Sequence, residues 1–489
     1  MDLRKLYKAT AVMGVSTFVA MVTGLLRAKF LAVQLGPEGV GIFSQALIFF
    51  QSIETISAMG IGLGVTNYVA EASGERCPDK IGGIISSSCV VQMAVSAICF
   101  MSIVVFQRQI SQAIFSSQRY ALLLVTSSAG VLFTPVLITL ESAMLGVGHA
   151  DRFSASRIIY YVAGLFLVVA LVGGFGLNGG FIFIAVNAMM SLATAIAVFM
   201  FTPLSGTGEK PSIDMFKVIP KELNLYFKKV FSYGSLMLTT SAITWFSVLA
   251  IRSKIIGTEG AAGNGLYQVA FAIVGYYTPF FTNGVWGHLF PKLSSTKDAS
   301  VFNDEVNMAM RFIILFVTPA LAILFLLRRE LVVLIFSREF LGCLELFPLY
   351  LFGSFFFLMA YVIFTTFLAG RQLKSYFLLS AGQSLSYIAV FYLLVRHMGL
   401  LAIAVSYFAV NILTCLVGAV YQRYRIGLKF DLRVIRLFIL STVFISVELL
   451  LPAESAFFLF MKWVFVVMWL FFVIGKNEGK LILSYVRQR

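Results

Sequence analysis

Residues 25–45 read LLRAKFLAVQLGPEGVGIFSQ, and residues 251–268 read IRSKIIGTEGAAGNGLYQ. Each places a basic pair late in a long apolar run, then a glycine-rich break, then a glycine followed by an aliphatic and an aromatic residue. Arg27-Ala28-Lys29 is answered by Arg252-Ser253-Lys254, Gly36-Pro37-Glu38-Gly39 by Gly257 and Gly260, and Gly41-Ile42-Phe43 by Gly265-Leu266-Tyr267. Further along, Ala185-Val186-Asn187 recurs as Ala409-Val410-Asn411, and Gly148 with Arg152 as Gly370 with Lys374, all at offsets of 222 to 225 residues. One match is chance, but a shared offset marks an internal repeat.

The repeat is written in a chain that is 60% hydrophobic and 12% charged over 489 residues, against about 45–50% and about 25% for a soluble domain. That composition excludes an aqueous surface. The apolar residues come in runs long enough to cross a bilayer, predicting about fourteen spans near 9–35, 41–70, 81–106, 119–147, 154–174, 178–201, 229–256, 265–290, 307–327, 344–369, 375–396, 400–422, 434–451 and 456–475. The first run lacks a small-residue cleavage pattern and reads as a span that stays. The expected fold is all-α and membrane-integral, with an N-terminal six-helix bundle over 1–202, a Pro- and charge-rich linker over 203–228, a C-terminal six-helix bundle over 229–423, and two further helices with a tail over 424–489. An even number of spans per repeat makes the two bundles parallel, related by an axis along the membrane normal and enclosing a central cavity.

The net charge of +15 comes from 37 Lys and Arg scattered between spans rather than on one basic face. Anionic lipid or an anionic substrate is the expected partner, and nucleic acid is not. Of those 37, 26 fall on the side that holds both termini and 11 on the other, so both ends are expected to be cytoplasmic. The cysteines at 77, 89, 99, 343 and 415 show no close pairing and read as packing residues.

Charged side chains at bilayer depth are costly, at least about 2.5–3.5 kcal/mol each on insertion scales, so function is sought among them. Glu54 falls near the middle of the second span, with Gln51 and Thr55 on or beside its face. It is the expected ion-coupling carboxylate, for a proton or sodium; a hydrogen-bonded contact between helices is the plainer alternative. Arg27 lies too deep in the first span for a loop residue, and Arg252 matches it in the seventh. Both are expected to line the cavity and to bind phosphate through two parallel hydrogen bonds. For Lys29 and Lys254, cavity lining and snorkelling to the outer interface are both open. Gln268 and Asn283 join Gln51 as polar cavity candidates, although such residues are more often glue between helices. Glu141, Asp151, Arg152 and Arg157, with His149, cluster at the cytoplasmic end of spans four and five, where a gate and an interface anchor look alike. Gly60, Gly62 and Gly64 allow close helix approach or a break.

No G-x-x-x-x-G-K-[ST] loop occurs, so no nucleotide is hydrolysed by that route, and no metal-binding spacing or cofactor motif is present. The outer loops are too short for the paired-carboxylate site of a glycan-processing enzyme. A transporter, not an enzyme, is expected.

Residues 31–41, LAVQLGPEGVG, with Gly64-Val65-Thr66-Asn67-Tyr68-Val69-Ala70 and Leu289-Phe290-Pro291-Lys292-Leu293-Ser294, resemble the Wzx-type O-antigen and enterobacterial-common-antigen flippases. These belong to the polysaccharide transporter family of the multidrug/oligosaccharidyl-lipid/polysaccharide exporter superfamily. The likeness covers spans one to twelve. It implies a V of two six-helix bundles around a cationic cavity in the bacterial inner membrane, and export of an undecaprenyl-diphosphate-linked oligosaccharide to the outer leaflet by alternating access. Arg27 and Arg252 correspond to family arginines thought to meet the diphosphate. A polysaccharide polymerase and a chain-length regulator are the implied protein partners, and the last two helices are expected to form a groove for the lipid tail. The rival readings are a drug or organic-cation antiporter of the same superfamily, a membrane-embedded glycan polymerase or ligase, and a non-transporting scaffold.

Overall fold

The computed structural model of the chain describes residues 3–203, 220–296, 298–450, 463–464 and 467–469. Among the described residues every regular element is helical, and there is no strand. The α-helices run α1 (Leu3–Ser57), α2 (Gly62–Gly74), α3 (Pro78–Val105), α4 (Gln107–Phe115), α5 (Ala121–Ser128), α6 (Thr134–Gly146), α7 (Ala150–Met200), α8 (Pro220–Gly284), α9 (Phe290–Ser295), α10 (Ala299–Leu326), α11 (Arg328–Ile335), α12 (Phe347–Ala369), α13 (Leu373–Met398), α14 (Leu401–Ile426) and α15 (Leu432–Leu450).

Nine helical segments among the described residues are long and apolar enough to cross a membrane. Three of them, of 46, 51 and 62 residues, exceed the roughly 20 residues one crossing needs. Each contains a glycine with non-helical backbone angles: Gly36 (φ 62°, ψ −175°), Gly176 (φ 57°, ψ −134°) and Gly260 (φ 74°, ψ 176°). Only glycine takes such angles without a Cβ penalty. At the first break Pro37 follows, its missing N–H costing nothing in the first turn of the next helix. Counting two passes for each broken segment gives twelve apolar passes among the described residues. The thirteenth expected span falls on α15, 19 residues long, which is not one of those nine segments; the fourteenth and most of the 203–228 linker lie outside the described residues.

The repeat is visible in the backbone as well as in the letters. Gly36 and Gly260, 224 apart, break their helices with nearly the same angles. Gly176 and Gly399, 223 apart, do so at φ 57°, ψ −134° and φ 52°, ψ −133°.

The helices sort into two compact units, Met1–Gln268 with Ile335–Ser337, and Val269–Leu334 with Arg338–Arg489. In unit one, α7 packs along α1, and α2, α3 and α6 enclose a core that includes Ile61, Val65, Ile84, Leu140, Met144 and Phe199. Unit two is built around α12, whose sequence FPLYLFGSFFFLMAYVIFTTFLA is apolar on every side and therefore takes the centre. Helices α10, α13, α14 and α15 pack about it or about one another.

The second span was expected to continue to residue 70. It ends at Ser57, because Met59 (φ 53°) and Gly60 (φ 64°) turn the chain before α2 begins at Gly62. The turn is stabilised by close approach: a Cβ on Gly60 would lie 2.5 Å from the Gly234 carbonyl oxygen, and one on Gly234 would lie 2.2 Å from that of Gly60. At the other end of the same pass, a Cβ on Gly41 would lie 1.9 Å from the Ala261 carbonyl oxygen, and one on Gly265 would lie 2.0 Å from that of Pro37. Residues 37–57 thus lie against α8 backbone to backbone at both ends.

Candidate functional site

Between those two glycine contacts, unit one contains a cleft of about 310 Å³ lined by Gln51, Glu54, Thr55, Ala58 and Gly60 of α1 and its turn, Ile138 of α6, and Met237, Leu238, Ser241 and Trp245 of α8. The expected stripe of Gln51, Glu54 and Thr55 faces it, as the helical spacing i, i+3, i+4 requires. Among the described residues the Glu54 carboxylate has no hydrogen-bond or ion-pair partner; only its backbone carbonyl is used, accepting from Ser57 Oγ at 3.0 Å and from the Ala58 N–H at 2.8 Å.

Glu54 is not alone electrically. The charges of Glu141 and Arg157 act on it directly, and those two are clasped: Arg157 Nε donates to Glu141 Oε1 at 3.2 Å and Nη2 to Oε2 at 2.9 Å. Arg157 also lies over the Phe153 ring, 4.6 Å from its centroid. Tyr160, whose ring is tilted against that of Tyr161 with centroids 4.4 Å apart, feels the charges of Arg27, Arg157 and Glu141. Arg27 contacts the Phe183 ring at 5.9 Å and forms no hydrogen bond or ion pair among the described residues. Glu54, Glu141 and Arg157 are thus linked electrically, Arg27 joins them only through Tyr160, and the set of four has formal charge zero. It suits binding a small ion or proton together with an anion, because adding either changes the balance felt by the other.

The four residues read as one cytoplasmic cluster separate. Glu141 and Arg157 belong with Glu54, whereas Asp151 and Arg152 are exposed and Asp151 lies 3.6 Å from His149 Nδ1.

The matched arginines have unlike surroundings. Arg252 is 0% exposed; its Nη1 donates to Ser44 Oγ at 3.2 Å and Asn264 Oδ1 at 3.4 Å, its Nη2 to Gln268 Oε1 at 2.6 Å, and Tyr267 lies beneath it at 4.7 Å. Asn264 Nδ2 in turn donates to the Gly41 carbonyl at 2.7 Å. Arg252 with Gln268 is thus a buried tie between the two passes of α8 and the second pass of α1. The Lys29 ammonium donates to the Phe336 carbonyl at 2.6 Å, just past the C-terminus of α11, where carbonyls lack helical partners and a cation is favoured. Lys254 is half-buried, and Asn283 is exposed and is not one of the residues lining the cleft.

Residues missed at the sequence level include Tyr160, Trp245 and Asn264. Tyr160 and Tyr161 stand three and four places after Arg157 and so share its helix face, a spacing that could have flagged them; nothing in the sequence marks Trp245. A further repeat also emerges: Ile114-Phe115-Ser116 and Ile335-Phe336-Ser337 both end short helices, and their carbonyls are held by Gln45 (Nε2 to the Ile114 oxygen, 3.2 Å) and by Lys29.

The lipid III flippase of Escherichia coli (strain K12) is 24% identical over 413 residues, 83% of this chain and 95% of that protein. The lipid III flippase of Shigella flexneri matches to the same extent. Among solved structures, the lipid II flippase MurJ in an inward closed conformation covers 97% of this chain and all of its own at TM-score 0.64 and 16% identity. An inward-facing multidrug-resistance MATE transporter of the MOP superfamily covers 86% of this chain and 98% of its own at TM-score 0.64 and 13% identity. The chain thus has the fold of this transporter superfamily, and the similar proteins are flippases and transporters. The family described as polysaccharide biosynthesis protein matches residues 6–258, the stretch holding the cleft and every member of its charged cluster; to that family this multi-pass membrane chain belongs.

Proposed function

We propose that the chain is a flippase that carries an undecaprenyl-diphosphate-linked oligosaccharide, an O-antigen or related surface-glycan unit, from the inner to the outer leaflet of a bacterial inner membrane, with both termini in the cytoplasm. The observation that carries this reading is the set of Arg27, Arg157, Glu141 and Glu54, of which Glu54 lines the cleft, within a span set that the polysaccharide biosynthesis family and the lipid III flippases match. A diphosphate needs cationic partners to leave water. Arg27 is unclaimed by a carboxylate, and Arg157 becomes available when its pair with Glu141 opens. The glycan would occupy the cavity while the polyprenyl tail stays in lipid.

Ion coupling follows from the charge balance. With Glu54 ionised the cluster is neutral, and with a proton or sodium ion on Glu54 it is net positive and favours the diphosphate. Binding of the cation and of the anion would then reinforce each other reciprocally. Arg252 supports the path by holding α1 to α8, and it meets the diphosphate only in a state where Gln268 and Asn264 release it.

Purified protein in proteoliposomes with a lipid-linked oligosaccharide should flip it, and Arg27→Gln should lower the rate at least about tenfold while leaving the fold intact. Unchanged flipping in a folded Arg27→Gln protein overturns the assignment of this cluster. One observation favours the organic-cation antiporter instead: Glu54 shares its cleft with Trp245 and Met237, a carboxylate beside an aromatic face that suits a cation. Efflux of a lipophilic cation without glycolipid flipping would establish that alternative.

A further inference from the structure

At one end of unit two, the α12–α13 turn and the α14–α15 turn lie side by side. Gln422 Nε2 donates to Thr366 Oγ1 at 2.8 Å, Ser375 Oγ and the Tyr421 hydroxyl are 2.8 Å apart, and the Phe367 and Tyr421 rings pack at 5.7 Å. The second turn is strapped to α10: Asn303 Oδ1 accepts from the Lys429 N–H at 3.1 Å, Asn307 Nδ2 donates to the Lys429 carbonyl at 2.8 Å, and Asn307 Oδ1 accepts from the Asp431 N–H at 2.8 Å. A polar loop on a membrane protein needs no such fixing to stay in water.

The fixed turns present cations. Arg371 and Lys374 come from the first; Arg423, Arg425, Lys429, Arg433 and Arg436 from the second and its flanking helices; all seven are exposed, and none forms an ion pair among the described residues. Of the nearby acids, Asp431 is engaged by the Arg433 N–H at 3.1 Å and Glu305 by Lys292 at 2.5 Å, leaving Asp304 exposed. Bordering the cations are large apolar and amphipathic groups facing outward: Tyr424 at 86% exposure, Leu378 at 69% and Leu432 at 67%. Cations interleaved with exposed apolar and tyrosine side chains fit a phospholipid interface, where phosphate and acyl chain meet.

We propose that this end of unit two is a docking surface for the anionic phospholipid head groups of the surrounding bilayer, which anchor α14 and α15 through their phosphates. The proposal does not rest on the flippase reading, and it holds whichever face of the membrane the turns occupy. The plain alternative is that these cations only orient the chain during insertion. In that case their geometry is immaterial and phospholipid chemistry is not discriminated.

The test titrates delipidated full-length protein with phosphatidylglycerol and, separately, phosphatidylcholine, reading bound lipid by native mass spectrometry and thermal stability in parallel. Phosphatidylglycerol should bind more tightly than phosphatidylcholine and raise the melting temperature further. In Arg423→Gln/Arg425→Gln/Arg433→Gln that affinity should fall by roughly a hundredfold, whereas the triple Lys variant should stay within about threefold. Asn303→Ala/Asn307→Ala, which removes no charge, should weaken binding by about tenfold if the strapped geometry matters. Should the triple Gln variant misfold, the Lys and Asn variants still decide. Equal affinity for the two lipids, or an Asn variant indistinguishable from wild type, overturns the proposal. A polyprenyl diphosphate that binds here while phosphatidylglycerol does not overturns it too, because the surface then serves the cargo.

Discussion

Arg157 and Glu141 meet through two parallel hydrogen bonds, and the carboxylate of Glu54 stands in their field without a hydrogen bond of its own. One carboxylate is therefore clasped by the guanidinium, and the other stands unpaired in the field of that pair. This relation assigns different consequences to residues that share a sign.

Removing the clasp should cost stability. A fully buried pair broken on one side loses about 3–5 kcal/mol, but the Arg157 side chain is 39% exposed, so screening brings the expectation for Glu141→Gln to about 1–2 kcal/mol. Differential scanning fluorimetry should show a melting temperature lowered by a few degrees. No shift would mean that Arg157 is already satisfied elsewhere.

Removing the waiting carboxylate should not. Glu54→Gln should leave stability within about 0.5 kcal/mol of wild type, yet flatten the pH dependence of transport measured in proteoliposomes with buffered lumens. A Glu54→Gln protein with an unaltered pH profile would take Glu54 out of coupling.

The two matched arginines should separate in the same assays. Arg252→Gln leaves the buried Ser44 and Asn264 and the half-buried Gln268 without their shared donor, so a loss of about 2–4 kcal/mol is expected, whereas Arg27→Gln should affect transport and spare the melting temperature. Equal destabilisation by both would contradict their unlike surroundings.

Glycine contacts give a steric prediction. Gly265→Ala would place a methyl 2.0 Å from the Pro37 carbonyl oxygen, and the backbones must separate at a cost of about 3 kcal/mol or more. Gly275→Ala, with nothing within 4 Å of its Cβ, should be neutral or stabilising by up to about 1 kcal/mol. Melting temperatures of the two variants should move in opposite directions or differ by several degrees.

Asp298 caps α10, accepting from the Ser300 N–H at 2.7 Å and the Ser300 hydroxyl at 2.8 Å, and these bonds hold its carboxyl below the usual carboxylate value. A depressed folded value means that the stabilisation is present above the unfolded value and disappears as pH falls through the folded one. Amide exchange at the start of α10 should accelerate in Asp298→Ala at neutral pH, and the difference from wild type should vanish in acid.

Much of this was legible in the letters. Apolar runs bounded by polar breaks determined a membrane-spanning helical chain, because only internally hydrogen-bonded helices can carry such runs through lipid. The offset of 222 to 225 residues determined a duplicated architecture, which recurs as paired backbone breaks at Gly36 and Gly260. The depth of Glu54 singled it out, since the bilayer tolerates a carboxylate there only with a reason.

Tertiary structure alone decided how the charges are partnered. Arg27 and Arg252 occupy equal places in the repeat, and nothing in their sequence distinguishes them, yet one is unclaimed and the other is enclosed by Ser44, Asn264, Gln268 and Tyr267. Glu141 and Arg157, read as loop-proximal with Asp151 and Arg152, lie instead with Glu54. The physical reason is that span position sets only the depth of a side chain, whereas its partner depends on helix rotation and on which helices touch. Those are settled by packing contacts such as the Gly41 and Gly265 backbone approach, which act between residues more than two hundred positions apart.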